Sequence, residues 1–226
     1  IIGSRLYYVI FSWDEFKDNL IQILDTRKGG LAIYGGIIAG LIAAFIFAKV
    51  KKLNFLHLFD FGITYVPMAQ AIGRWGNFIN QEAYGTNTSL PWGMTSDTIR
   101  NELAASASKL SQMGIYVDPA KPVHPTFLYE SLWDLGVFLF LLWYRKRKKV
   151  NGEVFFLYMV LYGIGRACIE SLRTDSLMLG NHRISQAIAI VFAIAFTILI
   201  FVMRKYRYSK EESEVYELGS SSYGAI

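Results

Sequence analysis

The sequence predicts an all-α membrane protein, a polytopic bundle of transmembrane helices with a small polar region outside the bilayer. Of the 226 residues 53% are hydrophobic, 18% are charged, and the mean hydropathy is +0.30. The apolar residues are concentrated in runs that approach or reach the roughly 20 residues needed to cross a bilayer. These runs are 31–50, 135–143 with its upstream flank, 154–169 and 184–203. We expect about six membrane helices, counting a partial first one at 1–11 whose beginning would lie upstream.

The basic residues behind the net charge of +5 lie at the ends of the apolar runs, in clusters at 51–52, 145–149 and 204–207. Positive residues are retained in cytoplasmic loops, so the clusters indicate membrane topology and give no sign of a nucleic-acid partner. If the first cluster is cytoplasmic, alternation of the helices places the other two on the same side.

This topology predicts the domain organisation. A membrane domain covers 1–203 and includes an external head region at about 82–123, in which 98–110 is predicted to be an amphipathic helix. The stretch 57–80 is predicted to run outward, although Asp60, Pro67 and Arg74 interrupt it. The tail 204–226 is polar and predicted to be disordered in the cytoplasm. The single cysteine, Cys168, lies in an apolar run, where a buried, inert residue is a better interpretation than a nucleophile.

The segment 73–85, GRWGNFINQEAYG, carries polar groups at membrane depth. An ionisable residue inside a spanning segment is costly and indicates a function. Arg74, Asn77 and Asn80 are spaced by three, so on a helix they share a face that ends near Glu82. The alternative is interhelical hydrogen bonding with an arginine that reaches the membrane edge.

A second polar segment is 162–175, YGIGRACIESLRTD. Arg166, Glu170 and Arg173 stand at i, i+4 and i+7, on one stripe of a helix. Glu170 can pair with either arginine, which leaves one guanidinium in excess. Such a guanidinium favours an anion and suits phosphate oxygens. A purely structural Arg–Glu–Arg clamp is the alternative.

Two further clusters begin helices at the same predicted face. One is 29–36, GGLAIYGG, with Tyr34, and the other is 124–130, HPTFLYE, with titratable His124, Tyr129 and Glu130. All four clusters lie at or near the external leaflet in this topology. Their convergence predicts a site that holds an anionic phospholipid head group for an enzymatic reaction.

The segment 73–85 resembles the signature of the prolipoprotein diacylglyceryl transferases, which lipidate bacterial lipoprotein precursors. It matches that family's Gly-Arg-x-Gly-Asn-Phe-x-Asn-x-Glu-x-x-Gly pattern at every fixed position. The blocks GSRLYYVIF, GGLAIYGG, HPTFLYE and YGIGRACIESLRTD follow the same family in order, so the resemblance extends to about Met203.

The resemblance implies transfer of the diacylglyceryl group of phosphatidylglycerol to the thiol of the lipobox cysteine in a prolipoprotein signal peptide. A thioether forms and glycerol phosphate is released, without cofactor or metal. It also implies about seven membrane helices in the complete protein, which would reside in the bacterial cell membrane with the active site toward the external leaflet and the C-terminus in the cytoplasm.

The resemblance also implies roles for individual residues. Arg74 and Arg166 are expected to be the essential arginines, with Asn77 and Glu170 beside them in the catalytic set. Phosphatidylglycerol is expected to contact a set that includes both arginines. That set is Arg74, Asn77, Glu82, Gly85, His124, Arg166 and Arg173.

The sequence departs from part of the family at two positions. Tyr34 stands where some members have a histidine proposed as the base, so Tyr34 acts as the base, the base lies elsewhere, or none is needed. Phe127 stands where glutamine is frequent. Two other classes compete with a transferase. A transporter would need polar residues along a whole path, whereas 184–203 is almost purely apolar, and a membrane scaffold would tolerate loss of either arginine.

Overall fold

The computed structural model describes residues 1–17, 19–27, 29–174, 178–179 and 182–223, with side chains as far as 208 except at 178, 179 and 182. The predicted all-α bundle is confirmed. The helices are α1 Ile2–Phe11, α2 Ile33–Val50, α3 Phe55–Ile63, α4 Val66–Asn80, α5 Asp97–Gln112, α6 Thr126–Tyr144, α7 Glu153–Glu170 and α8 Ile184–Tyr223. Strands β1 Met178–Leu179 and β2 His182–Arg183 form a two-residue antiparallel pair before α8.

Among the described residues, three helical stretches are long and apolar enough to cross a membrane. They are Ile33–Val50, Thr126–Tyr144 and Ile184–Tyr208. The chain divides into two compact units, Ile1–Phe59 and Asp60–Ile226, with the boundary inside α3.

In the first unit, α1 packs against α2 through glycines. A Cβ atom on Gly3 would collide with Ala39 and the carbonyl of Gly35, and one on Gly35 with the carbonyl of Gly3 and the side chain of Tyr7. Small residues let helix backbones approach in a membrane, where van der Waals packing and not hydrophobicity joins helices. These two glycines therefore set the spacing of the helix pair.

Arg5 organises the connection between α1 and α2. Its side chain is buried, and within the described part of the chain its guanidinium donates only to backbone carbonyls of that connection. The acceptors are Gln22 at 2.6 Å, Ile23 at 2.8 Å, Gly30 at 2.9 Å, Asp25 at 3.0 Å and Gly29 at 3.1 Å. A buried charge needs such saturation, so Arg5 fixes the path that leads into α2.

In the second unit, α4 packs on α6, α6 on α7 and α7 on α8. Between α6 and α7 lies an apolar core made of Val137, Leu141, Val154 and Tyr158. This pairwise packing brings the polar faces of α4, α6 and α7 together at the level where α4 and α7 end and α6 begins.

The stretch 57–80, predicted to be interrupted at Asp60, Pro67 and Arg74, is divided near Pro67. The stretch forms two helices, α3 and α4, separated at Thr64–Tyr65. Pro67 lies in the first turn of α4, where its missing N–H is tolerated, and it cannot donate to a turn continuing from α3.

The predicted polar head region has a core of its own. The sequence prediction of a helix at 98–110 is confirmed by α5, where Ser96 Oγ accepts from Ile99 N at 3.1 Å at the N-terminus, a common helix cap. The core contains Tyr84, Ile99, Leu103, Leu110, Ile115 and Val123.

Two of the basic clusters lie at the end of the unit where α7 begins. Lys148 Nζ is 2.7 Å from Asp60 Oδ2, and Arg204 pairs with the buried Glu153. Asp60 also accepts from the backbone N–H groups of Gly152 and Phe155 at 2.8 and 3.0 Å. The two carboxylates therefore hold both clusters against the N-terminus of α7, which favours negative charge.

Two predictions differ from the structure outside the site. Cys168 was expected to be buried, but it is exposed, because it lies one turn after the exposed Ile164 on the same face of α7. The tail was expected to be disordered, whereas the backbone of α8 is helical to Tyr223. The helix is already nucleated in the apolar stretch, and extending a helix costs less than starting one.

Candidate functional site

Three arginines converge on one buried carboxylate, Glu130, in the first turns of α6. Glu130 Oε2 lies 3.0 Å from Arg74 Nη1, and its Oε1 lies 3.2 Å from Arg166 Nη1 and 3.5 Å from Arg173 Nη1. The Glu130 side chain is 6% exposed. A buried carboxylate is stabilised only by close, hydrogen-bonding partners. The four residues, contributed by α4, α6 and α7 with its following turn, therefore form one electrostatic unit, here named the arginine cluster.

A second carboxylate supports the cluster from α7. Glu170 Oε2 is 2.7 Å from Arg166 Nη2, at the predicted i,i+4 spacing, and the Glu170 side chain is 1% exposed. Arg166 therefore lies between two carboxylates. Because its guanidinium is planar, it presents one edge to each of them.

The predicted stripe of Arg166, Glu170 and Arg173 is only partly correct. The helix ends at Glu170, and the chain turns so that Arg173 N donates to Glu170 O at 3.2 Å. Arg183 reinforces this turn, because its Nη1 donates to the carbonyls of Glu170 and Arg173. Arg173 thus lies beyond the helix and reaches Glu130.

Accessibility separates the three arginines. The side chains of Arg74 and Arg166 are 23% and 22% exposed, whereas that of Arg173 is 9% exposed. A ligand that reaches the cluster therefore meets Arg74 and Arg166, with Arg173 beneath them.

The predicted polar face of α4 forms in part. Asn77 Nδ2 and Asn80 Nδ2 both donate to Glu82 Oε1, each at 3.1 Å. Gln81, which ends α4, has a left-handed backbone with φ of 58°, and this turn brings Glu82 back over the helix end. Arg74 points instead to α6, so the face divides into an amide–carboxylate group and the arginine cluster.

Gly85 lies where three chain segments meet. Its N donates to His124 O at 2.9 Å and it forms an isolated β-bridge with Arg173, while Thr86 N donates to Leu172 O at 2.7 Å. A Cβ atom at position 85 would lie 2.7 Å from the Cβ of His124 and 2.9 Å from Leu172 O. The glycine therefore allows the signature segment to bind the backbone beside the arginine cluster.

His124 belongs to an aromatic hydrogen-bonding group at the start of α6. Its Nδ1 lies 3.2 Å from Tyr129 Oη, which also accepts from Trp92 Nε1 at 2.9 Å. Burial lowers the pKa of the His124 imidazole, since desolvation disfavours its charged form. The imidazole is therefore neutral at neutral pH.

Phe127 packs where the resemblance would place a glutamine. Its ring centroid is 4.8 Å from that of Phe78 and 5.4 Å from that of Trp75. Aromatic contacts at such distances stabilise a packed site, so the side chain joins α6 to α4 without a hydrogen bond.

Tyr34 lies in the first unit, in the first turn of α2. Its side chain is exposed, and its ring centroid is 6.4 Å from that of Tyr7. The structure therefore brings together Arg74, Arg166, Glu170 and Arg173 directly, links Gly85 and His124 to them through the backbone, and places Tyr34 in the other unit.

Sequence reasoning missed the central position of Glu130, which it treated only as a titratable group. It also missed Asp134, a buried residue one turn further along α6. The available signal was the spacing itself: two acidic residues four apart at the start of an apolar helix require cationic partners from other helices.

Comparison with known proteins gives a consistent result. The family model described as prolipoprotein diacylglyceryl transferase matches residues 1–202. A phosphatidylglycerol–prolipoprotein diacylglyceryl transferase of Clostridioides difficile (strain 630) is 48% identical over 194 residues, which are 86% of this chain and 69% of that protein.

Two further proteins of the same name show similar agreement. The one from Finegoldia magna is 48% identical over 206 residues, 91% of this chain and 74% of its own length. The one from Clostridium botulinum (strain Loch Maree) is 43% identical over 201 residues, 89% and 74% of the two chains. The chain, an enzyme of the transferase class, therefore belongs to the prolipoprotein diacylglyceryl transferase family.

Proposed function

We propose that this chain transfers the diacylglyceryl group of phosphatidylglycerol to the thiol of the lipobox cysteine of a prolipoprotein, with the arginine cluster as the phosphate site. This transfer is the first step of lipoprotein maturation. The observation that carries the proposal is the convergence of Arg74, Arg166 and Arg173 on the buried Glu130, in a unit whose helices are apolar enough to lie in a membrane.

The contacts of Glu130 support a phosphate site at these guanidiniums. A carboxylate and a phosphate present oxygens with similar spacing to an arginine fork. When phosphatidylglycerol enters, its phosphodiester would take Arg74 and Arg166, the two accessible arginines, from Glu130. Arg173 would stay with Glu130 and keep that carboxylate in place, since its side chain is 9% exposed.

The transfer step then depends on stabilisation of the developing charge more than on covalent catalysis. The thiolate sulfur attacks the glyceryl carbon that carries the phosphate, the carbon–oxygen bond breaks, and its electrons move to the departing phosphate oxygen. The charge that develops there is stabilised by guanidiniums already held in position. Glu170 contributes by orienting Arg166.

The remaining predicted residues have supporting roles in this proposal. Asn77, with Glu82, would contact the glycerol head group, because both groups lie at the end of α4 that carries Arg74. Gly85 would act by letting the backbone close around the site. His124 would offer a neutral imidazole to the head group.

The proton of the thiol is the second requirement, since the thiolate is the nucleophile. Tyr34 has the position in its block at which some family members carry a histidine. A phenol with an ordinary pKa near 10 is a weak base at neutral pH. A Tyr34→Phe variant distinguishes the readings: loss of turnover assigns the hydroxyl to the reaction, and retained turnover excludes it.

We also propose the membrane arrangement. The chain would cross the bacterial cell membrane several times, with the arginine cluster toward the external leaflet and the basic clusters at 145–149 and 204–207 in the cytoplasm. The support is that Lys148 and Arg204 lie at one end of the second unit, as the positive-inside rule requires. Both substrates would enter laterally from the bilayer.

The test is an assay with labelled phosphatidylglycerol and a lipobox peptide, in which thioether product and glycerol phosphate are measured. Arg74→Ala and Arg166→Ala are expected to reduce turnover by about a hundredfold or more, the effect of removing one charge-stabilising donor. Arg100→Ala is the matched control, because Arg100 is exposed and, in the part of the chain that the structure describes, pairs only with its neighbour Asp97 in α5.

The full-length protein forming no product would refute the transferase proposal. Product formation that is unchanged in Arg74→Ala and Arg166→Ala would instead refute the assignment of the phosphate site. A membrane scaffold predicts the first result, and a transferase with its site elsewhere predicts the second.

A further inference from the structure

Asp134 is a buried carboxyl group in α6 that has no role in the reaction proposed above. It lies one helical turn after Glu130 and is 6% exposed. Residues four apart lie on the same helix face, so Asp134 faces the interior of the unit just as Glu130 does. Among the described residues it forms no hydrogen bond or ion pair, although a buried carboxylate is costly without a partner.

The groups around Asp134 come from three helices. Its charge interacts with Arg74 of α4 and with Glu130 of its own helix, and also with Tyr158 of α7. Tyr158 Oη donates to Gln70 Oε1 of α4 at 2.9 Å. Asp134 therefore lies in a polar layer directly beneath the arginine cluster, on the side toward the middle of the helices.

The directions of the side chains bring Arg74 and Asp134 toward each other. Side chains on a helix tilt toward its N-terminus, and α4 and α6 are antiparallel because Arg74 pairs with Glu130 while Ala71, earlier in α4, accepts from Ser131, later in α6, at 2.9 Å. The long Arg74 side chain therefore leans toward the level of Ser131. Asp134, three residues after Ser131, tilts back along α6 toward the same level.

We propose that Asp134 is a positioning residue for Arg74, the counter-ion that holds this guanidinium when the phosphate of the phospholipid displaces Glu130. The inference rests on the proposed phosphate site. In the resting site Arg74 is oriented by Glu130 at 3.0 Å. In the loaded site Glu130 withdraws, and Asp134 keeps the guanidinium aimed at the phosphate from below.

The charges of the cluster support this arrangement. Arg74, Arg166 and Arg173 all contact Glu130, Arg166 also contacts Glu170, and Asp134 is the next carboxyl group after Glu130 along α6. If Asp134 acts through Arg74, it changes the affinity of the site for an anion without contacting the anion itself. A substitution at position 134 should therefore affect phospholipid binding through the charge and length of the side chain more than through its volume.

The experiment compares Asp134→Asn and Asp134→Glu in the full-length protein, in the assay with labelled phosphatidylglycerol and lipobox peptide. Asp134→Asn keeps the shape and removes the charge, so kcat/KM for phosphatidylglycerol is expected to fall about tenfold, the loss from one weakened charged hydrogen bond. Asp134→Glu keeps the charge and is expected to recover most of the activity. Phosphatidylglycerol binding is measured in parallel, because it stays measurable where turnover is lost.

A double variant tests whether Asp134 acts through Arg74. In an Arg74→Lys background the guanidinium is absent, so Asp134→Asn is expected to weaken phospholipid binding by less than about twofold further, as coupled neighbours behave. Asp60→Asn is the control for loss of a buried carboxylate, because Asp60 is 3% exposed but lies with Lys148 at the other end of the unit. It is expected to lower the thermal midpoint and leave KM and kcat of the folded protein unchanged.

Three results would overturn the inference about Asp134. One is wild-type kinetics in Asp134→Asn, another is equal loss in Asp134→Asn and Asp134→Glu, and the third is a full tenfold additional loss in the Arg74→Lys background. None of these affects the transferase proposal, which depends on product formation by the unsubstituted protein.

Discussion

Arg74 Nη1 and Glu130 Oε2 lie 3.0 Å apart, although the two residues come from different helices and from different sequence blocks. The pair joins the signature segment of α4 to the start of α6, and Arg166 and Arg173 add the end of α7 to the same carboxylate. Glu130 is therefore both a structural link between three helices and the group that occupies the proposed phosphate site before substrate arrives.

Removal of the Glu130 carboxylate is expected to destabilise the protein. Glu130→Ala leaves three guanidiniums close together without their shared counter-ion, and breaking a buried pair costs about 3–5 kcal/mol. Thermal unfolding in detergent measures the effect as a lowered midpoint. Glu102→Ala on the exposed face of α5 is the control and is expected to change stability by less than about 0.5 kcal/mol. Equal midpoints for Glu130→Ala and the wild type would contradict the structural role.

Arg166 is expected not to be replaceable by lysine. Its guanidinium contacts Glu130 with Nη1 and Glu170 with Nη2, and a compact ammonium group cannot present two such edges. Arg166→Lys should therefore lower kcat/KM by about tenfold or more, the value of one charged hydrogen bond. The measurement is the phosphatidylglycerol assay, with Arg100→Lys as the control. Wild-type activity in Arg166→Lys would show that only the positive charge matters at this position.

A methyl group at position 85 is expected to disturb the site through the backbone. Gly85→Ala places a Cβ against His124 and Leu172 O, and overpacking of this kind costs about 1–3 kcal/mol. Gly73→Ala is the matched control from the same signature, because a Cβ there meets no atom within 4 Å and alanine is favoured in a helix. A lower thermal midpoint is expected for Gly85→Ala alone. The opposite order of the two variants would contradict the close approach.

Stability is expected to fall at acidic pH in part through His124. Burial lowers the pKa of its imidazole in the folded protein, so below the unfolded value near 6.5 the unfolded chain binds more protons than the folded one. The contribution of the neutral imidazole is complete above that pH and is lost as the pH falls through the folded pKa.

Unfolding midpoints of wild type and His124→Gln between pH 5 and pH 8 measure this contribution. The glutamine variant is expected to show a shallower decline toward pH 5, because only two of the three histidines of the sequence remain. Parallel pH profiles for the two proteins would exclude His124 as a source of the decline.

Patterns of residue spacing within one segment predicted the helices and contacts that depend on that segment alone. The amphipathic spacing at 98–110 predicted α5, and the four-residue spacing of Arg166 and Glu170 predicted their ion pair. The spacing of Asn77 and Asn80 likewise predicted a shared face, which the structure shows around Glu82. In each case neighbours in sequence are neighbours on one helix.

Contacts between helices could not be predicted in the same way. Glu130 was noted as titratable, but its three arginine partners depend on how α4, α6 and α7 pack. Arg173 was assigned to the stripe of α7, whereas Arg183 binds the carbonyls at the helix end and the chain turns away. The carbonyl groups that surround Arg5 were not predicted, because every residue has a backbone carbonyl and the residue types therefore do not indicate which ones accept.

The head region meets the arginine cluster through main-chain atoms, at Gly85 and Thr86. Backbone hydrogen bonds do not depend on the identity of the side chains that flank them. Apart from Trp92, which donates to Tyr129 beside His124, side chains and loop lengths between 88 and 121 can therefore diverge during evolution, as long as the head keeps its small core. The outer surface of the head can thus change while the arrangement of the arginine cluster stays the same.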